Sequence, residues 1–157
     1  MTQYQKSVVN KRGYFGIGIY HTKTKTNIGT LWRSAKIFGA SFIFTIGKRY
    51  KSQSSDTIRA PRHIPLFHYS AFDDFYKGIP YNCKLIGIEQ TENSKNIVNF
   101  VHPERAVYLL GAEDYGLPPT ILDKCQSVIH IETPLCLNVS VAGSIILFDR
   151  QTKNRRR

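Results

Sequence analysis

The sequence predicts an α/β domain in which a mostly parallel sheet is flanked by helices. Short apolar runs rich in β-branched and aromatic residues alternate with segments of helical periodicity, as they do in α/β folds. The runs are nearly continuously apolar, which is typical of parallel strands covered on both faces. The length of 157 residues, 41% of them hydrophobic, suits one compact core. We therefore expect a single domain over residues 1–150 and a basic tail over 151–157.

Local patterns predict the first three elements. The run YFGIGIY, residues 14–20, is β-branched and aromatic between polar loops and predicts a buried strand. NIGTLWRSAKIFG predicts a helix, because its apolar residues recur at helical spacing, Asn27 is of a type that caps helices, and Gly39 suits the C-terminal stop. SFIFTI, residues 41–46, predicts the second strand.

The remaining elements continue the alternation. The polar, basic stretch 47–62 predicts a loop, and PLFHY predicts a short strand after it. SAFDDFYKG predicts a small helix capped by Ser70 and stopped by Gly78. KLIGIE, AVYLL and SVIHI each predict a buried strand, and residues 138–150 predict a closing helix.

The charge is unevenly distributed along the chain. The formal net charge is +11, and residues 1–62 hold twelve Lys or Arg against one acid, Asp56. Residues 63–149 hold five Lys or Arg against ten acids, and the chain ends on another basic cluster. A surface that carries mostly positive charge favours binding to a polyanion such as a nucleic acid. The alternatives are a solubilising surface, or a disordered tail after Phe148.

Several site classes lack a sequence signal. No apolar run reaches the length that spans a bilayer, and residues 1–12 are polar and basic, so we expect a cytoplasmic protein without a membrane partner. The three cysteines are widely spaced without a CxxC pair, and the five histidines are scattered. The sequence therefore predicts no disulfide framework and no metal site.

Two loops at the carboxyl ends of predicted strands carry candidate site residues. In TNIGTLWRSA, Arg33 projects away from the apolar stripe of its helix, although a solvated helix arginine has the same pattern. In LLGAEDYGLPP, Gly111 and Gly116 permit positive φ or close approach by a ligand, with Glu113 between them. The alternative for this loop is an ordinary turn with a surface acid.

A third loop leads into the closing helix. Asn138 can cap that helix, and Ser140 falls in its first turn. Capping alone does not explain why Ser140 is followed by the small residues Ala142, Gly143 and Ser144. We expect another part of the molecule or a ligand to lie close against this turn.

Together these three loops resemble a known family. NIGTLWRSA, YLLGAEDYGLP and LNVSVAG are similar in content and order to motifs 1, 2 and 3 of the SpoU/TrmH branch of the SPOUT RNA methyltransferases. The resemblance covers about residues 14–150. It implies a C-terminal deep trefoil knot, a homodimer, S-adenosylmethionine as cofactor, and methyl transfer to a ribose 2′-hydroxyl of RNA.

The resemblance also implies roles for individual residues. Arg33 and Asn27 match motif 1, Glu113 matches the motif 2 glutamate, and Asn138 and Ser140 match the motif 3 polar pair beside the reacting groups. The positions expected to border the cofactor are Ile88, Gly111, Gly116, Ile131 and Leu137. The expected RNA contacts are Lys23, Lys25, Arg49, Arg59 and Arg62.

The sequence departs from the family pattern at two places, and alternatives stay open. Glu132-Thr133 stands where relatives often have Pro-Met, and Cys136 stands where they often have Ser. The compact chain favours tRNA over rRNA as substrate. One alternative is a relative that binds RNA without catalysis, although all five expected catalytic residues are present. The other is a SPOUT enzyme that methylates a base nitrogen, although those branches lack this Asn-to-Arg motif 1.

Overall fold

The computed structural model describes residues 13–47 and 64–155. Its centre is a seven-stranded sheet in the order β3-β2-β1-β6-β4-β7-β5, and every pairing between these strands is parallel. The predicted α/β class with a mostly parallel sheet is therefore confirmed. Three of the expected RNA contacts, Arg49, Arg59 and Arg62, lie outside the described residues.

The strands lie close to their predicted positions. They are β1 (Tyr14–Tyr20), β2 (Phe42–Ile46), β3 (Leu66–Tyr69), β4 (Lys84–Ile88), β5 (Lys95–Asn96), β6 (Arg105–Leu110) and β7 (Ser127–His130). β5 was not predicted, because two residues are too few to leave a periodic signal. It leads directly into a 3₁₀ turn, Ile97–Asn99.

In the described part of the chain, four helices accompany the sheet. They are α1 (Lys25–Phe38), α2 (Phe72–Lys77), α3 (Pro119–Leu122) and α4 (Val139–Arg155). Gly39 ends α1 in the left-handed conformation, as predicted. α4 continues past its predicted end at Arg150, and the single turn α3 was not predicted.

Two predicted helix caps are wrong. The residue before α1 is Thr24, so Asn27 lies inside the first turn, and Ala71 rather than Ser70 precedes α2. Neither Thr24 nor Ala71 makes a side-chain capping hydrogen bond. The amide of Asn27 is instead used in long-range hydrogen bonds, which a local pattern does not reveal.

The alternation of β1 builds a core on each side of the sheet. Phe15, Ile17 and Ile19 are buried in a cluster that also holds residues of α1 and α4. Gly16 and Gly18 face the other side, where a side chain at either position would overlap the rings of Phe42 and Phe44. The run GIGI thus packs aliphatic residues on one face and admits aromatic rings on the other.

A buried polar network fixes α4 at the amino end of the sheet. The Arg150 side chain is 1% exposed and donates hydrogen bonds to the carbonyl oxygens of Pro103 and Glu104, at 2.6 and 2.8 Å, and to the Tyr108 hydroxyl. His102 bonds Tyr108 through Nδ1 at 2.6 Å and Asp149 through Nε2 at 2.8 Å. Arg150 is the first residue of the basic cluster that ends the chain, but the structure places its side chain in the core. Within the described residues, no helix is long and apolar enough to cross a bilayer.

Candidate active site

The candidate active site is a cavity of about 550 Å³ at the carboxyl ends of β4, β6 and β7. It lies between the segments that follow these three strands, where ligands of parallel α/β sheets are expected. The lining includes all five residues predicted to border a cofactor. These are Ile88, Gly111, Gly116, Ile131 and Leu137.

The loop after β6 is held tightly against itself. Gly116 has φ of 62° and its N–H donates to the Ala112 carbonyl at 2.9 Å. A Cβ at Gly111 would lie 2.5 Å from the carbonyl carbon of Gly116. The positive φ predicted for this loop is confirmed at Gly116. At Gly111, the part of the molecule that lies too close for a side chain is the loop's own backbone, at Gly116 and Leu117.

Glu89 supports this loop, and sequence reasoning missed it. Its carboxylate accepts hydrogen bonds from the N–H groups of Leu117 at 2.9 Å and Gln90 at 3.2 Å. A side chain at Gly116 would overlap this carboxylate. The signal was available, since Glu89 is an acid directly after a buried strand, but its partner is 28 residues away.

A chain of polar contacts joins the three loops. The Asn27 amide nitrogen donates to the Glu113 carboxylate, and the Asn27 amide oxygen accepts from Asn138 at 3.0 Å. Asn138 in turn accepts from the Ser140 hydroxyl at 2.6 Å. Asn27 and Ser140 are 5% and 4% exposed. The structure therefore brings four of the five predicted catalytic residues together across 113 residues of sequence.

The capping prediction for Asn138 is confirmed. Its side-chain oxygen accepts from the backbone N–H groups of Ser140 at 2.9 Å and Val141 at 3.3 Å, at the start of α4. The following small residues serve the helix packing. A Cβ at Gly143 would lie 2.5 Å from Cδ1 of Leu31, and the Ser144 hydroxyl bonds that of Ser34 at 2.7 Å. What lies close to Gly143 is thus α1.

Arg33 lies apart from this chain of contacts. It is exposed on α1, as predicted from its position off the apolar stripe. It follows Asn27 by six residues, which corresponds to ~9 Å along the helix axis and a different helix face. Within one copy of the described residues, Arg33 does not line the cavity.

The two described candidates for RNA contact lie beside the site. Lys23, in the loop after β1, pairs with Asp114 of the β6 loop. Its ammonium lies 5.7 Å from the centre of the Tyr115 ring. Lys25 is exposed at the start of α1. These two contacts place Lys23 at the mouth of the cavity.

The residues that depart from the family pattern are also placed. Glu132 accepts a hydrogen bond from Asn96 at 2.8 Å and is not among the residues that line the cavity. Thr133 and Cys136 do line it, and Cys136 is exposed. The Glu132 carboxylate is thus directed toward Asn96 of β5, at the neighbouring edge of the sheet.

The lining suits a small molecule with an apolar part and a positive charge. Ile88, Leu110, Ile131, Leu137 and Val139 provide apolar surface, and the volume lies in the range of cofactor sites. Glu89, Glu113 and Asp114 bring carboxylates to the same cavity. Among the described residues, no group of three or more His, Cys, Asp or Glu could hold a metal ion.

The fold and the cavity define a class of protein, an α/β domain with a small-molecule site at the carboxyl ends of parallel strands. Residues 15–148 match the model of the SpoU rRNA Methylase family. The chain therefore belongs to the SpoU methylase family, and the resemblance seen in the three motifs is confirmed.

Individual relatives agree with this assignment. A mouse protein named tRNA (guanosine(18)-2′-O)-methyltransferase TARBP1 is 26% identical in an alignment of 133 residues that covers 79% of this chain and 8% of the relative. The Saccharomyces cerevisiae tRNA (guanosine(18)-2′-O)-methyltransferase is 28% identical in an alignment of 132 residues that covers 77% of this chain and 9% of the relative. The chain thus spans under a tenth of the length of these two curated relatives.

Solved structures share the fold. The A. aeolicus TrmH/SpoU tRNA modifying enzyme aligns with a TM-score of 0.81 at 18% identity, covering 98% of this chain and 82% of that one. The Sinorhizobium meliloti rRNA methyltransferase with bound AdoMet aligns with a TM-score of 0.77 at 23% identity, covering 90% of this chain and 57% of that one.

Proposed function

We propose that this protein is an S-adenosylmethionine-dependent methyltransferase that modifies a ribose 2′-hydroxyl of RNA, with tRNA as the favoured substrate. The observation that carries the proposal is the polar chain from Glu113 through Asn27 and Asn138 to Ser140 at the edge of the 550 Å³ cavity. The names of the mouse and yeast relatives support both the chemistry and the preference for tRNA. The rRNA enzyme among the structural neighbours supports rRNA as the second candidate.

The cavity fits the proposed cofactor chemically. S-adenosylmethionine supplies a methyl group on a cationic sulfonium, beside an adenosine and an amino-acid end. Apolar residues such as Ile131 and Leu137 would hold the adenosine, while the carboxylates of Glu89 and Glu113 favour a positive charge nearby. The 2′ oxygen must approach the methyl group in line, so most of the catalysis comes from positioning.

Within this proposal, Arg33 orients the RNA. A guanidinium has five donors and no acceptor, so it binds a ribose oxygen or an adjacent phosphate and does not accept the hydroxyl proton. Another group or a water molecule takes that proton. Glu113, Asn27, Asn138 and Ser140 hold the three loops in the geometry that the transfer requires.

We also propose that the enzyme is a homodimer in which Arg33 of one subunit faces the cavity of the other. Ile37, one turn after Arg33 on the same face of α1, is 65% exposed. On the neighbouring helix α4, Val141 and Phe148 are 46% and 58% exposed, and their spacing of seven puts them on one side. The Phe148 ring packs 6.3 Å from that of Phe38 on α1, so the two apolar faces are continuous.

The predicted trefoil knot is part of the same proposal. Residues of the segment 131–138 and of the loop 111–116 line the same cavity, and α4 then packs against α1. β6 also pairs between β1 and β4, although β4 precedes it in the chain. Pulling a single molecule from its termini should release less length than 157 extended residues allow. Release of the full length would contradict the knot.

A methyl-transfer assay tests the proposed function. The protein is incubated with tritium-labelled S-adenosylmethionine and bulk tRNA or rRNA, and the labelled nucleosides are identified after nuclease digestion. A 2′-O-methylated nucleoside from tRNA is expected. A labelled base would instead indicate a base-nitrogen methyltransferase, and no label would indicate a relative that binds RNA without catalysis.

The variant Arg33→Ala tests the role of that residue in the same assay. Methyl transfer should fall about 100-fold or more, because misplaced reactants lose most of the positioning effect. Cofactor affinity, measured by calorimetry, should stay within about twofold. Lys36→Ala removes a cation from the same helix and serves as the matched control. Transfer by Arg33→Ala near the wild-type rate would overturn the assignment.

A further inference from the structure

An exposed aromatic side chain marks the mouth of the cavity. Tyr115 belongs to the loop after β6, lines the cavity, and is 86% exposed. It lies two residues after Glu113, whose carboxylate is part of the polar chain between the loops. A large aromatic side chain that projects into solvent beside a polar cluster gains little for folding, because it buries almost no apolar area.

Lys23 lies beside this ring and makes two contacts there. Its ammonium lies 5.7 Å from the centre of the Tyr115 ring and pairs with the carboxylate of Asp114. Asp114 would otherwise repel a phosphate at the mouth of the cavity. Because Lys23 compensates that charge, the mouth presents a ring face and a cation close together.

This pairing has the chemistry of a nucleotide-binding platform. Proteins bind unpaired nucleotides by stacking bases on aromatic rings and by placing cations near the phosphates. A ribose that enters the cavity edge for methylation must carry its base and phosphate with it. The base then has Tyr115 within reach, and the phosphate has Lys23.

We propose that Tyr115 is a stacking platform for an unpaired nucleotide of the RNA substrate, with Lys23 at the adjoining phosphate. The inference rests on the proposed function, since it assigns the nucleotide-binding surface of that same site. It also restricts the substrate class, because a base stacked on Tyr115 must be outside a duplex. The modified nucleotide should lie in a loop or other single-stranded region.

Binding measurements test the platform separately from catalysis. The probe is a fluorescein-labelled oligouridylate of eight nucleotides, and its dissociation constant is measured by anisotropy with the full chain at fixed salt. Tyr115→Ala should weaken binding about fivefold or more, the lower end of base-aromatic stacking. Tyr115→Phe keeps the ring and should bind within about twofold of wild type.

The control is a second exposed tyrosine. Tyr81 is 91% exposed but precedes β4, at the opposite end of the parallel sheet from the cavity. Tyr81→Ala should bind the probe as the wild type does. Cofactor affinity of all variants, measured by calorimetry without RNA, should be unchanged.

Three results would overturn the platform: probe binding by Tyr115→Ala at the wild-type level, an equal loss in Tyr115→Phe, or a parallel loss of cofactor affinity. The second result would indicate a role for the hydroxyl, and the third would place Tyr115 over the cofactor. A failure of the proposed function has a different signature. In that case the wild-type protein transfers no methyl group to RNA, while probe binding still depends on Tyr115.

Discussion

The variant Asn27→Asp tests the polar chain that joins the three loops. Asn27 is 5% exposed and contacts Glu113 through its amide nitrogen and Asn138 through its amide oxygen. The substitution keeps the shape and the acceptor toward Asn138. It replaces the donor toward Glu113 by a second carboxylate oxygen, so a hydrogen bond becomes a like-charge contact.

The expected loss of stability follows from that one contact. A hydrogen bond to a charged group contributes about 1.5–3 kcal/mol, and Glu113 is itself exposed, so we expect a loss of about 2 kcal/mol at pH 8. For a chain of this length, the melting temperature should fall by about 4–8 °C. Methyl transfer should fall as well, because the loops that carry the site separate.

The stability change caused by Asn27→Asp should depend on pH in a defined direction. The neighbouring carboxylate raises the pKa of the new carboxyl in the folded state, so the folded protein binds more protons than the unfolded chain. The free energy of unfolding of the variant should therefore rise relative to wild type as pH falls from 8 to 5.5. Urea denaturation at both pH values measures this difference.

A neighbouring variant supplies the control. Thr26→Asp adds the same charge to an exposed residue of the same helical turn, where the helix dipole makes a negative charge neutral or slightly favourable. Equal stability of Asn27→Asp and Thr26→Asp at pH 8 would refute the reasoning. So would a loss in Asn27→Asp that does not change with pH.

Two further predictions concern the core. Gly143→Ala should destabilise the protein by about 1–3 kcal/mol in urea denaturation, because the added Cβ would lie 2.5 Å from Leu31 Cδ1. The control is Gly29→Ala, which has open space around it and should be neutral or stabilising. An undisturbed melting curve for Gly143→Ala would contradict the close packing of α1 and α4. Burial lowers the pKa of His102 to about 4. As pH falls, the histidine is therefore protonated in the unfolded chain before it is protonated in the folded protein. The free energy of unfolding should fall by about 2 kcal/mol between pH 7 and 4.5. His102→Gln should reduce this dependence, and an unchanged slope would contradict it.

The sequence by itself determined the elements that periodicity encodes. β1 has the predicted bounds, and the apolar stripe of α1 correctly indicates that Arg33 is exposed. These features depend on residues a few positions apart, so a local pattern contains them. The three motifs likewise identified the family, because their order along the chain is itself sequence information.

Only the tertiary structure decided how the site residues are used. Asn27 has the local pattern of a helix cap, yet its amide bonds Glu113 and Asn138, 86 and 111 residues away. Glu89 directly follows a buried strand, and that position does not reveal a partner, yet its carboxylate supports the loop that lines the cavity. Parallel strands bring their carboxyl ends to one edge of a sheet regardless of separation along the chain, so polar partners from distant loops meet there. This convergence of strand ends determines which partner the Asn27 amide meets. Neither the residue type of Asn27 nor its neighbours in the sequence specify that partner.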